Sequence, residues 1–239
     1  MIEAVRISKQ IGERLVLADL SFRAEPGRLT AIFGPNGAGK STLLRILALL
    51  MAPTFGQVLI DGCPVSGDDP GVRSRIGLLS HQSFLYEGLS ARENLEFYAR
   101  LYGVGDADRR IRTLLDAVGL SLFAGDPVRT YSRGMLQRLA IARTILHDPE
   151  ILLLDEPYTG LDQSARGLLD RLIWESKVRG RVLLLVSHDA GEGLKQADQV
   201  LVLARGRVAA AGAASEWSAA RLAEVYAGWP ARRAAGGRR

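Results

Sequence analysis

Cysteine is almost absent from this sequence, since Cys63 is the only one among 239 residues. A single thiol forms no internal disulfide and no cysteine cluster for a metal. Long apolar runs are missing as well, and the nearest approach, ILALLMA after Arg45, is far shorter than the roughly 18 residues that span a bilayer. The N-terminal segment contains Glu3 and no apolar core of signal-peptide length. We therefore expect a cytoplasmic chain that reaches a membrane only through a partner.

Acidic side chains are missing from the last nine residues, ARRAAGGRR, which contain four arginines. Removing those charges from the formal net charge of +5 leaves +1 for residues 1–230. A nearly neutral body differs from the basic surface of nucleic-acid-binding proteins, so we expect no nucleic-acid partner. Residues 229–239 are predicted to be a disordered basic tail, with attraction to an anionic membrane surface as the alternative.

Apolar periodicity predicts an α/β fold. The stretches IEAVRIS and RLVLADLSF alternate apolar and polar residues, which predicts two antiparallel strands. LTAIF, RIGLLS, ILLLDEP, VLLLVSHD and QVLVLARGRV indicate further strands, whereas 90–148 contains only helical patterns. We expect one domain over 1–228, with a mostly parallel sheet, an N-terminal antiparallel β subdomain and an all-helical subdomain inserted at about 83–150.

A glycine-rich loop follows the strand LTAIF and precedes a helix. It matches the phosphate-binding pattern G-x-x-x-x-G-K-[ST] and consists of Gly34, Pro35, Asn36, Gly37, Ala38, Gly39, Lys40, Ser41 and Thr42. The glycines allow successive N–H groups to point inward, at the positive end of a helix, where they bind a polyphosphate. Lys40 adds a charge for the β- and γ-phosphates, and Ser41 offers a hydroxyl to Mg²⁺. The loop therefore predicts a nucleoside triphosphate site in a P-loop NTPase core of the RecA-like type.

Polar side chains at the ends of other apolar strands predict the hydrolytic chemistry. Asp155 and Glu156 follow ILLL, where Asp155 suits the Mg²⁺ shell and Glu156 suits the water that attacks the γ-phosphate. His188 follows the next strand and is placed to donate to the γ-phosphate. Gln82 follows RIGLLSH and is predicted to contact Mg²⁺ or the water and to relay their presence to the inserted helices.

The stretch TYSRGMLQ predicts a helix start with a charge of unfavourable sign. Ser132 is the expected N-cap, and the apolar face of the helix comprises Met135, Leu139, Ala142 and Leu146. Arg133 places a positive charge in the first turn, which costs roughly 0.3–1 kcal/mol because the helix N-terminus is itself positive. A bound anion would reverse that cost.

The order of these motifs resembles that of the ATP-binding-cassette ATPases over about residues 2–228. GPNGAGKST resembles Walker A, Gln82 the Q-loop, YSRGMLQRLAIA the signature motif and ILLLDEP Walker B. TGLD, with Asp162, is similar to the D-loop, and His188 to the switch histidine.

The resemblance implies that two cassettes face each other head to tail and enclose two ATP molecules with Mg²⁺. The second cassette is expected to be an identical chain. Each ATP would be held by the phosphate loop of one chain and by the signature residues Ser132, Arg133, Gly134 and Met135 of the other. Transmembrane permease subunits would meet the inserted helices near FLYEG, 84–88, at the cytoplasmic face of the membrane. Arg133 either contacts the phosphate or points to solvent.

Two features depart from the family pattern, the signature motif and the residue expected to contact the base. The common signature LSGGQ is YSRGM here, but Ser132 and Gly134 are retained, so we expect activity. Ile11 stands where the family has an aromatic residue that stacks on adenine, which predicts low selectivity for adenine over guanine.

The predicted function is the energy-supplying ATPase subunit of a transporter. Within the family, YSRGM and DEPYTGLD are similar to exporter ATPases, which include the haem-exporter subunit of cytochrome c maturation and drug or lipid exporters of similar size. The short chain favours the haem-export group. The alternative is a non-transport cassette ATPase, such as one for iron–sulfur cluster assembly. An unrelated P-loop kinase or GTPase would not explain the signature motif and Gln82.

Overall fold

The smaller of two β-sheets is the N-terminal antiparallel one. The computed structural model describes residues 1–80 and 82–228. The small sheet contains β1 (Ile2–Ile11), β2 (Arg14–Ala24), β4 (Phe55–Ile60) and β5 (Cys63–Val65), in the order β2-β1-β4-β5. All its neighbouring strands are antiparallel, which confirms the predicted antiparallel subdomain.

The larger sheet has six strands in the order β10-β9-β3-β8-β7-β6. They are β3 (Leu29–Phe33), β6 (Ile76–Leu79), β7 (Ile151–Asp155), β8 (Val182–Val186), β9 (Gln199–Ala204) and β10 (Arg207–Ala213). Neighbours from β9 to β6 are parallel, and only β10 runs antiparallel to its neighbour. Every residue of β3, β7 and β8 is buried, because one face of the sheet is covered by helices and the other by a helix together with the small sheet.

Helices pack on the larger sheet and also form the insertion. The core helices are α1 (Lys40–Leu47), α6 (Gln163–Val178), α7 (Ala190–Gln196) and α8 (Ala219–Ala227), and a short α2 (Pro70–Arg73) precedes β6. Between β6 and β7 lie α3 (Ala91–Tyr102), α4 (Ala107–Ala117) and α5 (Arg133–Ile145). These three share a separate apolar core that includes Leu95, Ile111, Leu115 and Leu139. Ser90 and Glu93 form a capping box at the start of α3.

The sequence prediction of the α/β class is correct, and two differences from the prediction lie near the C-terminus. QVLVLARGRV was expected to contribute one strand, but Arg205 and Gly206 turn the chain between β9 and β10. Helix α8 was not predicted, although Ser218 caps it and Leu222, Val225 and Tyr226 follow at helical spacing. The predicted basic tail, 229–239, lies outside the described residues. None of the helices described has the length and apolar character needed to cross a membrane.

Candidate functional site

The phosphate loop connects the end of β3 to the first turn of α1. Gly34 has φ 152°, and a Cβ there would lie 2.2 Å from the carbonyl oxygen of Leu203, so only glycine fits. Gly39, with φ 104°, occupies the N-cap position of α1, and within 1–80 and 82–228 no side chain caps the N-terminus of that helix. The first N–H groups of α1 are therefore available to an anion.

Lys40 is a buried cation directed into this loop. The residue is only 6% exposed, and its Nζ donates to the carbonyl oxygens of Gly34 (2.7 Å) and Pro35 (3.2 Å). Burial lowers the pKa of Lys40, while the negative charges of Glu156 and Asp155 act in the opposite direction. A cation held here by neutral carbonyls is suited to a strongly anionic ligand.

Ser41 and Asp155 place two oxygen groups together beside the loop. Asp155 is the last residue of β7 and is buried, and Ser41 Oγ donates to its Oδ1 at 3.3 Å. No cluster of three or more His, Cys, Asp or Glu side chains suited to a metal occurs in 1–80 and 82–228. The pair fits Mg²⁺, which commonly takes one or two protein oxygens and completes its shell with water and phosphate oxygens.

Glu156 is held in a strained backbone conformation directly after Asp155. Its φ of 53° lies in the left-handed region, and its N–H donates to the carbonyl of Val186 at 3.0 Å. His188 Nε2 lies 3.0 Å from Oε1 of this carboxylate, and the His188 backbone N–H donates to Oε2 at 3.3 Å. Burial raises the pKa of Glu156, whereas His188 and then Lys40 oppose the rise. The sheet edge therefore brings the loop, both carboxylates and the histidine together.

The signature residues begin α5 and lie beside the loop that precedes α6. Ser132 is the N-cap, as predicted, and its Oγ accepts the N–H of Met135 at 3.3 Å. A Cβ on Gly134 would lie 3.3 Å from Oδ2 of Asp162, which in turn caps α6 by accepting the N–H of Ala165 at 2.8 Å. The start of α5 thus contacts the loop before α6 in the same chain.

Arg133 reaches that loop as well. Gly160 has φ 75°, and a Cβ placed on it would lie 2.7 Å from Cζ of the Arg133 guanidinium. Arg133 is exposed, and within the described residues it forms no salt bridge. Its charge therefore lies over backbone, on the loop between Glu156 and Asp162. The contact with Gly160 was not expected from the sequence, because it joins residues 27 positions apart in the chain.

Gln82 and Ile11 are both exposed. The backbone carbonyl of Gln82 accepts a hydrogen bond from the Ser80 hydroxyl at 2.9 Å. Ile11 ends β1, is 48% exposed and pairs with Arg14 across the β1–β2 hairpin. Arg14 was not singled out from the sequence, although its register opposite Ile11 is a usable signal.

A phosphate loop at the carboxyl end of a parallel sheet, a buried lysine and two adjacent carboxylates define a P-loop nucleoside triphosphatase. A sequence model described as "ABC transporter" matches residues 17–159. The chain belongs to the ABC transporter family and is an ATP-binding subunit that hydrolyses ATP.

Curated relatives share about a third of their residues with this chain. The ABC transporter ATP-binding protein NatA of Bacillus subtilis is 36% identical over 198 residues, covering 82% of this chain and 80% of its own. The daunorubicin resistance ATP-binding protein DrrA3 of Streptomyces coeruleorubidus is 38% identical, covering 88% and 67%. The Nod factor export ATP-binding protein I of Cupriavidus pinatubonensis is 35% identical, covering 89% and 66%.

Solved structures show the same fold. A structure described as the ATP-binding subunit of an ABC transporter superposes with a TM-score of 0.86 at 30% identity, covering 96% of this chain and 99% of its own. A dimeric ATP-binding cassette in a post-hydrolysis state, bound to ADP and Pi, gives a TM-score of 0.82 at 27% identity, covering 90% and 99%. These matches confirm the predicted fold class with its P-loop NTPase core.

Proposed function

We propose that this chain is the ATPase subunit of an exporter and acts with separate transmembrane permease subunits at the cytoplasmic face of the membrane. The observation that carries this proposal is the placement of the signature residues Arg133 and Gly134 against Gly160 and Asp162, whereas the atoms nearest the phosphate-loop glycines belong to other residues. A second cassette would supply the missing half of each site. The export role is supported by the relatives named for Nod factor export and daunorubicin resistance.

In the proposed dimer two identical chains enclose two ATP molecules. The N-terminus of α5, with Ser132, Arg133, Gly134 and Met135, would face the γ-phosphate held by the partner. The helix dipole, the Ser132 hydroxyl and the Arg133 charge then act on one anion, which converts the unfavourable first-turn charge into a favourable one. The solved dimeric cassette bound to ADP and Pi supports this arrangement by analogy.

In hydrolysis, the residues at the carboxyl ends of the parallel strands would each have a separate role. Ser41, Asp155 and Gln82 are the proposed Mg²⁺ residues, and Mg²⁺ when bound neutralises charge on the phosphates. Glu156 would orient the attacking water through a carboxylate fixed by its neighbours, and His188 would donate to the γ-phosphate. Lys40 would exchange its carbonyl partners for phosphate oxygens. Ile11 offers the base apolar contact without an aromatic face, so we expect little discrimination between ATP and GTP.

An exposed aromatic cluster on the helical insertion is the proposed permease contact. Tyr86 and Phe97 are exposed and pack edge to face, with ring centroids 4.9 Å apart. Phe84 is also exposed, and its carbonyl accepts the Tyr98 hydroxyl, while the Arg143 guanidinium lies 5.4 Å from its ring centroid. The cluster is therefore an apolar surface with a fixed shape, which suits burial against another protein.

The ATP site does not identify the transported cargo, because no residue described above would contact that cargo. Haem export remains a prediction that none of the relatives described above supports by name. The iron–sulfur alternative is likewise not favoured by relatives concerned with export and drug resistance.

Purification from membranes tests the proposed function. Affinity-tagged chain, solubilised from its own membranes in mild detergent, should co-purify with proteins that contain several membrane spans. Tyr86→Ala should reduce that recovery severalfold, because it removes part of the aromatic cluster. Phe55→Ala is the matched control, since Phe55 is exposed on the antiparallel sheet. Recovery of a soluble scaffold complex instead would contradict the transport role.

Replacing Arg133 tests its proposed contact with the γ-phosphate. Arg133→Gln, in a hydrolysis-deficient Glu156→Gln chain, should raise the ATP concentration needed for dimerisation about tenfold, since a hydrogen bond to a charged group contributes about 1.5–3 kcal/mol. Light scattering during gel filtration measures the dimer. Arg129→Gln removes an exposed charge four residues earlier and should change nothing. Unchanged dimerisation of the Arg133 variant would make Arg133 a bystander.

A further inference from the structure

Arg14 occupies the first position of β2, at the turn end of the β1–β2 hairpin. It pairs with Ile11 across the hairpin, and Gly12 and Glu13 form the turn between them. All four residues are exposed, so the hairpin end presents a cation and an apolar side chain to solvent side by side. Exposure alone is ordinary for arginine, and the position of the guanidinium is what distinguishes this one.

The guanidinium of Arg14 lies against the phosphate loop. A Cβ placed on Gly37, in the exposed middle of the loop, would lie 3.4 Å from Nη2 of Arg14. The hairpin is also fixed to the loop farther along β2, because a Cβ on Gly39 would lie 2.5 Å from Leu17 Cδ2. The backbone of β2 thus sets the distance from Arg14 to the loop.

The Arg14 charge is not neutralised by the residues around it. Arg6 is paired with Asp19 at 3.1 Å and Arg28 with Glu25 at 3.2 Å, but in the described part of the chain no carboxylate lies within salt-bridge distance of Arg14. Its neighbour Glu13 is exposed and forms no ion pair with any residue that the structure describes. The loop therefore has the buried charge of Lys40 within it and the exposed charge of Arg14 at its rim.

We propose that Arg14 is a phosphate-binding residue of this cassette, whose guanidinium closes the outer rim of the loop and donates to phosphate oxygens of the nucleotide. Arginine suits this role because its planar fork forms paired hydrogen bonds with phosphate. Nucleotide affinity then depends on the polyphosphate more than on the base, in keeping with the aliphatic side chain of Ile11. The inference rests on the ATP site of the proposed function and adds a residue to it.

Calorimetric titration in EDTA, which prevents hydrolysis, tests this role with three probes: ATP, GTP and inorganic tripolyphosphate. Arg14→Gln should weaken all three by a similar factor of about ten, and Arg14→Lys should recover part of the loss because it restores the charge. Arg23→Gln, an exposed arginine on the same strand, is the matched control and should bind as the wild type does. Equal melting temperatures would show that the variants are folded.

Two results would overturn the inference. If Arg14→Gln bound ATP and GTP more weakly but tripolyphosphate as tightly as the wild type, Arg14 would contact the base or the sugar instead of the phosphates. If the affinity for all three probes were unchanged, Arg14 would have no role in binding. In both cases the wild type still binds ATP, so the proposed function stands. A wild type that binds none of the probes would instead contradict the nucleotide site itself.

Discussion

Glu156→Gln should retain ATP binding and lose at least about a hundredfold in turnover, within the range by which positioned acid–base groups accelerate reactions. The amide keeps the size of the side chain but cannot accept the proton of the attacking water or hold that water by a charge. Its neighbours His188 and Lys40 remain in place, so the loop keeps its affinity for phosphate. Because the dimer is expected to separate only after hydrolysis, the variant should also accumulate as an ATP-bound dimer.

Phosphate release and gel filtration with ATP measure the two effects of this substitution. Glu175→Gln, on the exposed face of α6, makes the same chemical change away from the site and should leave both readouts unaltered. Wild-type turnover in the Glu156 variant would refute the assignment of the water-orienting residue. Loss of ATP binding would show instead that the carboxylate organises the loop.

Lys40→Ala should reduce ATP affinity by about a hundredfold or more, because it removes a buried positive charge at the centre of the phosphate loop. Burial lowers the pKa of this lysine, so the charged form is costly in the folded chain until a phosphate compensates it. Removing the charge should therefore leave the melting temperature without ATP unchanged or raised. Added ATP should no longer raise it.

Thermal unfolding with increasing ATP measures this loss through the stabilisation that a bound ligand gives. Lys195→Ala, an exposed lysine of α7, is the matched control and should show the wild-type rise. If ATP raised the melting temperature of Lys40→Ala as much as that of the wild type, the assignment of the loop to the ATP site would be wrong. A lower melting temperature in the absence of ATP would indicate a structural role for Lys40.

The fold was largely readable because its main strands are uninterrupted apolar runs. LTAIF, ILLLD and VLLLV are buried at every residue, a pattern typical of strands covered on both faces. Helix α8 was missed because its sequence, AARLAEVYA, has a short apolar face and few distinguishing residues. The β9–β10 turn was missed because the strand propensity of QVLVLA masked the significance of Arg205 and Gly206.

The sequence predicted those parts of the site that are local motifs, but it did not predict contacts between residues that are distant along the chain. The phosphate loop is nine consecutive residues, and its conformation follows from glycines at fixed positions. The left-handed conformation of Glu156, in contrast, depends on its bond to Val186 in another strand. The contacts of Arg14 with Gly37 and of Arg133 with Gly160 likewise depend on tertiary packing, which local periodicity does not encode.

The packing of Arg133 on Gly160 also restricts how this sequence can vary. A side chain at position 160 would collide with the guanidinium, in addition to the strain imposed by its φ of 75°. With glycine at position 133 the collision would be absent, and a side chain at position 160 would meet only the strain of the positive φ. Asparagine at position 160 tolerates that conformation better than most residues. Positions 133 and 160 are therefore expected to covary among homologous chains, with arginine at the first accompanied by glycine at the second.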